Sequence, residues 1–375
     1  MSIRKLIYII TILAVFAMAA RFSIDTDTWW HLRAGQWIWE NKTIPRTDPF
    51  SYTKYGSAWQ YPGWVMQIGL FSVYQSLGPG GLNLLTAVFV ALTFFFLWQT
   101  ISGNNYFKAF VVVLAATASG VYWAARPYLI TFLFSAVFLF LLEKERKGWD
   151  LEDAPVQGAD KIRLWILPLL MVIWANSHGG FAVGFILFGI YLIGLTMRIG
   201  VKNIYRHYLG AGEKKGGAQA EKQDSFAVGG MEGKQSGEFI HVLKRWELFC
   251  VIGVLLVLAV CLNPHGPKML FYPFKTVGMS ALNRYIEEWQ SPNFHELRIK
   301  PFLLLLFLTF GTVGASKKQI SIIDFLLVFV FGSLSLMAGR NIALFALAAP
   351  VVMTRHGVAF AKGFQKDAQW LRSGT

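Results

Sequence analysis

Residues 25–35 read DTDTWWHLRAG, and the stretch runs on through IPRTDPFSYTKYG (44–56) to Trp64. Acids, a histidine, bases and six tryptophans crowd into a segment too polar to cross lipid, yet apolar runs flank it on both sides. Such a segment marks a site at a membrane surface, or a helix lying in the interface. Trp29, Trp30, Trp37 and Trp39 on their own suit an ordinary interfacial aromatic belt. Asp27 and His31 say more. At a spacing of four they share one helix face, beside a stripe of Trp30, Ala34 and Trp37. The pattern predicts an in-plane amphipathic helix whose polar face borders a cavity.

The 375-residue chain is 55% apolar and its mean hydropathy is positive. Apolar runs recur along the whole length, which predicts an all-α polytopic membrane protein. Residues 6–20 follow Arg4 and Lys5 as a signal peptide would, but no small-residue cleavage site follows, so they read as the first span. The net charge of +14 lies between spans, where it sets orientation, and the chain reads as one with no nucleic-acid partner. Cys250 and Cys261 fall in one predicted helix, about 16 Å apart, too far for a disulfide.

Counting apolar runs gives about ten transmembrane helices: 6–20, 82–99, 109–122, 128–142, 163–177, 181–198, 247–262, 300–315, 321–337 and 341–354. Segment 64–79 carries Gln67, Ser72, Gln75 and Ser76 and is taken as a second in-plane helix of a long first outer loop, 21–81. With the N-terminus inside, inner segments then carry 23 of the 35 Lys and Arg residues and outer segments 12, as the positive-inside rule asks. The chain divides into a module 1–142, a cytoplasmic loop 143–162, a helix pair 163–199, a flexible cytoplasmic loop 200–246, a C-terminal bundle 247–354 with outer loop 263–299, and a cytoplasmic tail 355–375. Loop 200–246 is rich in Gly, Lys and Gln and reads as a solvated tether.

This topology gathers the polar clusters on the outer side: Asp25 to Arg33, Asp48, Arg126, Asn176-Ser-His178-Gly, Asn263-Pro-His265-Gly, Glu287-Glu288-Trp289 and Arg340-Asn341. Asn-x-His-Gly closes two spans. Capping explains its Asn and Gly but not the repeated His. Arg126 and Arg340 sit in very short turns, where an idle charge is costly; Arg33 fits an interfacial snorkelling residue as well. Asp25 or Asp27 also suits a helix cap.

From Asp27 the sequence DTWWHLRAGQWI…IPRTDPFSYTKYG resembles the first outer loop of GT-C membrane glycosyltransferases, most closely that of oligosaccharyltransferase catalytic subunits. The likeness covers residues 25–56 in sequence and extends as architecture to about 142. It implies transfer of a sugar from a polyprenyl phosphate or pyrophosphate donor to an acceptor on the outer face of the plasma membrane, that of a bacterial inner membrane, with both termini cytoplasmic and membrane lipids as surroundings. In that family the loop's acid is a general base or holds a divalent metal, Mg or Mn; the role carries to Asp27, with Asp25 and His31 beside it as catalytic candidates. Arg126, Arg340 and Arg33 are the candidates for the donor phosphate. The second acid usual in the next outer loop is missing, since that loop carries Arg126 instead. Asp48, His178, His265, Glu287 and Glu288 are therefore candidate metal or acceptor ligands. The alternative is a non-enzymatic transporter or flippase of polyprenyl-linked lipid or polysaccharide, which would favour charges inside spans. A metal-dependent hydrolase ranks last, because no HExxH-type ligand pair is present.

Overall fold

The structure, a computed structural model, describes residues 1–21, 25–147, 149, 163–213 and 225–373, and side chains there other than those of 201–239, 241, 283 and 365–373. The described residues are helical with no strand; one isolated antiparallel bridge joins Thr47 to Ala58. In chain order the helices are α1 (Ile3–Ala19), α2 (Thr26–Asn41), α3 (Trp64–Thr100), α4 (Asn105–Ser119), α5 (Tyr128–Lys147), α6 (Ile166–Ala175), α7 (Ala182–Glu213), α8 (Ser225–Cys261), α9 (Tyr272–Val277), α10 (Ser280–Tyr285), α11 (Lys300–Ala315), α12 (Ile322–Met337) and α13 (Ile342–Ser373).

Among the described residues four helical stretches are long and apolar enough to cross a membrane: Trp64–Thr100, Gly179–Gly200, Leu297–Ala315 and Gly339–Phe364. The pair Val242–Cys261 and Gly266–Val277, bent by 104°, makes up to five. The expected ten is therefore too many. Runs such as 163–177 and 109–122 are apolar but end early. α6 has 10 residues and α4 has 15, rises of about 15 and 22 Å against a hydrocarbon core of about 30 Å. Apolar stripes do face outward. Ile9, Ile10 and Leu13 on α1, Leu84, Val88 and Leu92 on α3, and Leu304, Phe307 and Phe310 on α11 are exposed. Contiguous apolar faces of that kind are costly in water and suit lipid.

α2 forms where the sequence pattern placed it. Thr28, His31, Leu32, Ala34, Gly35 and Ile38 make its buried side, a helical spacing. That side packs on the first half of α3, and the two backbones meet at Gly35, where a Cβ would stand 2.1 Å from the Gln67 carbonyl oxygen. α3 has 37 residues, a rise of about 55 Å, well beyond one span. It breaks at Gly78 (φ 61°, ψ −158°), next to Pro79, close to the expected division between 64–79 and 82–99. Loop 200–246 differs from its expected coil. Residues 200–213 continue α7 and 225–246 belong to α8, while 214–224 lie outside the described residues. Its Lys, Gln, Glu and Ala are good helix formers. α13 likewise runs on through the expected tail.

About 20 Å along α5 from its start, a buried ion cluster ties four helices together. Glu143 of α5 accepts from Tyr191 of α7 at 2.6 Å, and Arg146 reaches Asp324 of α12 at 2.9 Å and Ser321 at 2.8 Å. Arg355 of α13 pairs with both Asp324 and Glu143. Asp324 is fully buried and Glu143 nearly so. Two acids and two guanidinium groups balance in charge, which makes such burial tolerable.

Candidate functional site

At the other end of α5 the start of α2, the turn before α5, the turn between α6 and α7, residues 286–293 and the turn before α13 enclose a cavity of about 1110 Å³. Asp25, Asp27, His31, Arg126, His178, Glu287, Glu288 and Arg340 all line it.

Asp25 is the cap of α2; its carboxylate accepts the Asp27 N–H at 2.9 Å. Asp27, one turn before His31, is thereby free of the capping role, and its side chain is 49% exposed on the cavity. Arg126 organises the acids. Its Nη1 donates to Asp27 Oδ2 at 3.0 Å and its Nη2 to Glu288 Oε2 at 2.7 Å, while Nε stands 3.6 Å from Asp25 Oδ2. Burial opposes the charge on Arg126, but Glu288, Asp25 and Asp27 outweigh it and raise its pKa further. The second oxygen of Glu288 stands 3.3 Å from Arg340 Nη1, and the Arg340 guanidinium lies 4.4 Å above the Trp289 ring. The Gly339 N–H donates to Gln290 O at 2.9 Å and pins these two turns together. A Cβ on Gly339 would fall 2.5 Å from the Tyr122 hydroxyl, so a larger residue there would have to push the Tyr122 side chain aside.

The two histidines of the cavity are neutral. Burial above all, with the Arg126 charge adding to it, holds His31 well below the usual imidazole range; its ring lies against Trp30 and its Nδ1 is 3.2 Å from Gln67 Nε2. Burial, then Arg340 and Arg126, lower His178 to about 3. Tyr61 closes the same wall, and burial raises its hydroxyl pKa well above 10.

Three expected site residues are not at the cavity. Arg33 is exposed and donates to Gln36 at 3.1 Å. Asp48 is spent inside its own loop, accepting from Phe50 N at 2.8 Å, Ser51 N at 3.0 Å and the Ser51 hydroxyl. Those bonds, the Ser51 hydroxyl first, lower its pKa. His265 does not line the cavity either, and among the described residues its buried Nε2 has no hydrogen-bond partner. The repeated motif thus splits. Asn263 donates to Ala175 O at 2.8 Å and to Asn176 Oδ1 at 3.2 Å, Trp64 donates to the same Oδ1 at 2.8 Å, and Gly266 takes a left-handed φ of 59°. Both asparagines are therefore structural ties, and only the first histidine reaches the cavity.

Thr131, Tyr61, Tyr128 and Gly180 also line the cavity, and sequence reading passed over them. Thr131, a polar residue in an apolar helix, and the Gly179-Gly180 pair were the available signals.

A Mg or Mn ion does not fit this donor set. No group of three His, Cys, Asp or Glu among the described residues could hold a metal ion, and Asp25, Asp27 and Glu288 turn oxygens to the Arg126 guanidinium.

No family model matches the chain, and no curated protein matches its sequence.

Proposed function

We propose that this chain is a membrane glycosyltransferase of the GT-C type, moving a sugar from a polyprenyl phosphate or pyrophosphate to an acceptor at the outer face of a bacterial plasma membrane. The observation that carries the reading is the cavity at one end of the helix bundle, where an uncapped, half-exposed Asp27 stands beside Arg126, Glu288 and Arg340. In the reaction Asp27 takes the proton of the acceptor hydroxyl. The acceptor oxygen bonds to the anomeric carbon as the bond from that carbon to the phosphate oxygen breaks, and cationic or N–H donors take up the charge on the leaving phosphate. Arg126 fixes the acids, so no metal is needed to hold them.

A transporter would draw on charges within its helices. The acids buried within the helices, Glu143, Glu145 and Asp324, are paired with Arg146, Arg245 and Arg355, and none of these lines the cavity, which favours the enzyme. The test is to incubate the purified protein in lipid with labelled polyprenyl-linked sugars and a hydroxyl acceptor extract. Label leaving the lipid for a new product supports transfer. Label that crosses the bilayer still attached to its lipid supports the transporter and rejects the enzyme.

A further inference from the structure

Among the described residues three guanidinium groups, Arg126, Arg298 and Arg340, and two imidazoles, His31 and His178, line the cavity, and they are not equally free. Arg298 is held between Glu287 and Glu296. Arg126 spends both terminal nitrogens on Asp27 and Glu288. His31 is buried behind Trp30. His178 and Arg340 differ from these three.

His178 Nδ1 lies 3.0 Å from the Gly180 N–H and 2.7 Å from Thr131 Oγ1. A backbone N–H only donates, so Nδ1 must accept, and the single proton of a neutral imidazole then sits on Nε2. Thr131 reinforces this. Its oxygen accepts from Trp174 Nε1 at 2.8 Å, which leaves its hydrogen to go to Nδ1. The arrangement requires glycine at 180, where a Cβ would stand 2.4 Å from Thr131 Oγ1 and 2.7 Å from His178 Nδ1. On the other side, Tyr128 stands edge-on to His178 with ring centroids 5.9 Å apart, and the Arg340 guanidinium lies 5.8 Å from the same tyrosine ring. Among the described residues Arg340 touches one carboxylate oxygen, at 3.3 Å, so N–H groups remain on its fork.

We infer that His178 and Arg340, flanking Tyr128, form the anion site of this cavity, with His178 locked as a neutral Nε2–H donor to a phosphoryl oxygen, and that Arg126 positions acids rather than phosphate. A locked donor of this kind cannot serve as a general base and presents no lone pair to a metal. The inference deepens the proposed reaction and rests on a phosphate-bearing ligand entering the cavity.

The experiment uses the full-length protein in lipid nanodiscs with farnesyl phosphate as the probe and inorganic phosphate as the competitor. Nitrogen-15 histidine spectra at pH 7 should show His178 neutral with its proton on Nε2; a protonated ring or an Nδ1–H tautomer overturns the assignment. Wild type should bind farnesyl phosphate, and inorganic phosphate should displace it. His178→Phe and Arg340→Met should each weaken binding about tenfold or more, as expected for loss of a hydrogen bond to a charged group. His178→Gln, which retains a donor amide, should recover part of that loss, a result that general damage to the fold would not give. Gly180→Ala should weaken binding through the displaced ring. Farnesyl phosphate that neither phosphate displaces nor His178→Phe weakens lies on the apolar wall, and the anion site is then wrong. Sugar transfer accompanied by unaltered binding in His178→Phe overturns this inference and leaves the enzyme standing; phosphate binding with no transfer of any sugar does the reverse.

Discussion

Arg126 Nη1 stands 3.0 Å from Asp27 Oδ2, joining the first turn of α2 to the turn before α5. The same guanidinium reaches Glu288 at 2.7 Å. One side chain therefore gathers three separate parts of the chain around the cavity and leaves the second oxygen of Asp27 open to it.

If Arg126 holds the acids, removing divalent metal should change nothing in the wild type. EDTA is expected to leave its thermal unfolding and its activity unaltered. Arg126→Met should lose stability on the order of 1–3 kcal/mol, as for charged hydrogen bonds left unmade, and Mn²⁺ should restore part of it by filling the gap among Asp25, Asp27 and Glu288. Wild-type protein that EDTA destabilises would return the acids to a metal site.

Acid should destabilise the fold in a defined window. His31 and His178 are held below the ordinary histidine value, so under about pH 6.5 the unfolded chain takes up protons that the folded one refuses. Stability is full above that pH and falls as pH drops, by up to about 1.4 kcal/mol per pH unit for each histidine, and for His178 the loss continues toward about 3. Arg340, Arg126, Thr131 and Tyr128 face His178 and keep it neutral or accept nothing from it. His178→Asn removes one such site. Its thermal unfolding measured from pH 7 to pH 5 should fall less steeply than that of the wild type; equal slopes would show that His178 titrates normally.

The ion cluster at the far end of α5 should behave as a clamp. Asp324→Asn leaves Arg146 and Arg355 facing Glu143 alone in a buried setting, and losing one partner of a buried pair costs about 3–5 kcal/mol. Thermal unfolding in detergent should drop markedly, whereas Glu287→Gln, at an exposed pair with Arg298, should stay within about 1 kcal/mol. A small effect of Asp324→Asn would mean that the cluster is hydrated.

Orientation rests on the basic-residue count, and cysteine labelling checks it. In a background with Cys250 and Cys261 replaced by alanine, Tyr52→Cys, at an exposed side chain, should react with an impermeant reagent in intact cells. Ala220→Cys should react only after the cells are opened. Labelling of both from outside would reverse the orientation and put the cavity on the wrong face.

The sequence made α2 legible because a candidate cap and a helical spacing agreed within sixteen residues, although its buried side runs through His31, Ala34 and Ile38 and the expected stripe residues Trp30 and Trp37 are only half-buried. It made the break near Gly78-Pro79 legible because polar residues stop there. The span count was not legible. Apolarity marks what is hidden from water, and α4 and α6 are apolar without being long enough to cross a membrane. At the site, Arg126 and Arg340 could be named from charge in very short turns, and Asp27 from its spacing to His31 and the resemblance of its loop. The division of labour between Arg126 and Arg340 could not be, since it depends on Glu288, 162 residues away from Arg126. His178 and His265 share one motif in sequence. Only the packing of Thr131 and Gly180 around the first tells them apart.

Sugar transfer by Asp27→Asn, compared with wild type under identical donor and acceptor concentrations, tests the central claim most directly. Asparagine keeps the shape and the capping capacity of aspartate, and Asp25 already caps the helix, so the variant should fold, with a loss of about 1 kcal/mol or less from the weakened pairing of half-exposed Asp27 with Arg126. If Asp27 accepts the acceptor's proton, the rate should fall by about 10²–10⁴-fold. Transfer at a near-normal rate by a normally folded Asp27→Asn would contradict the account.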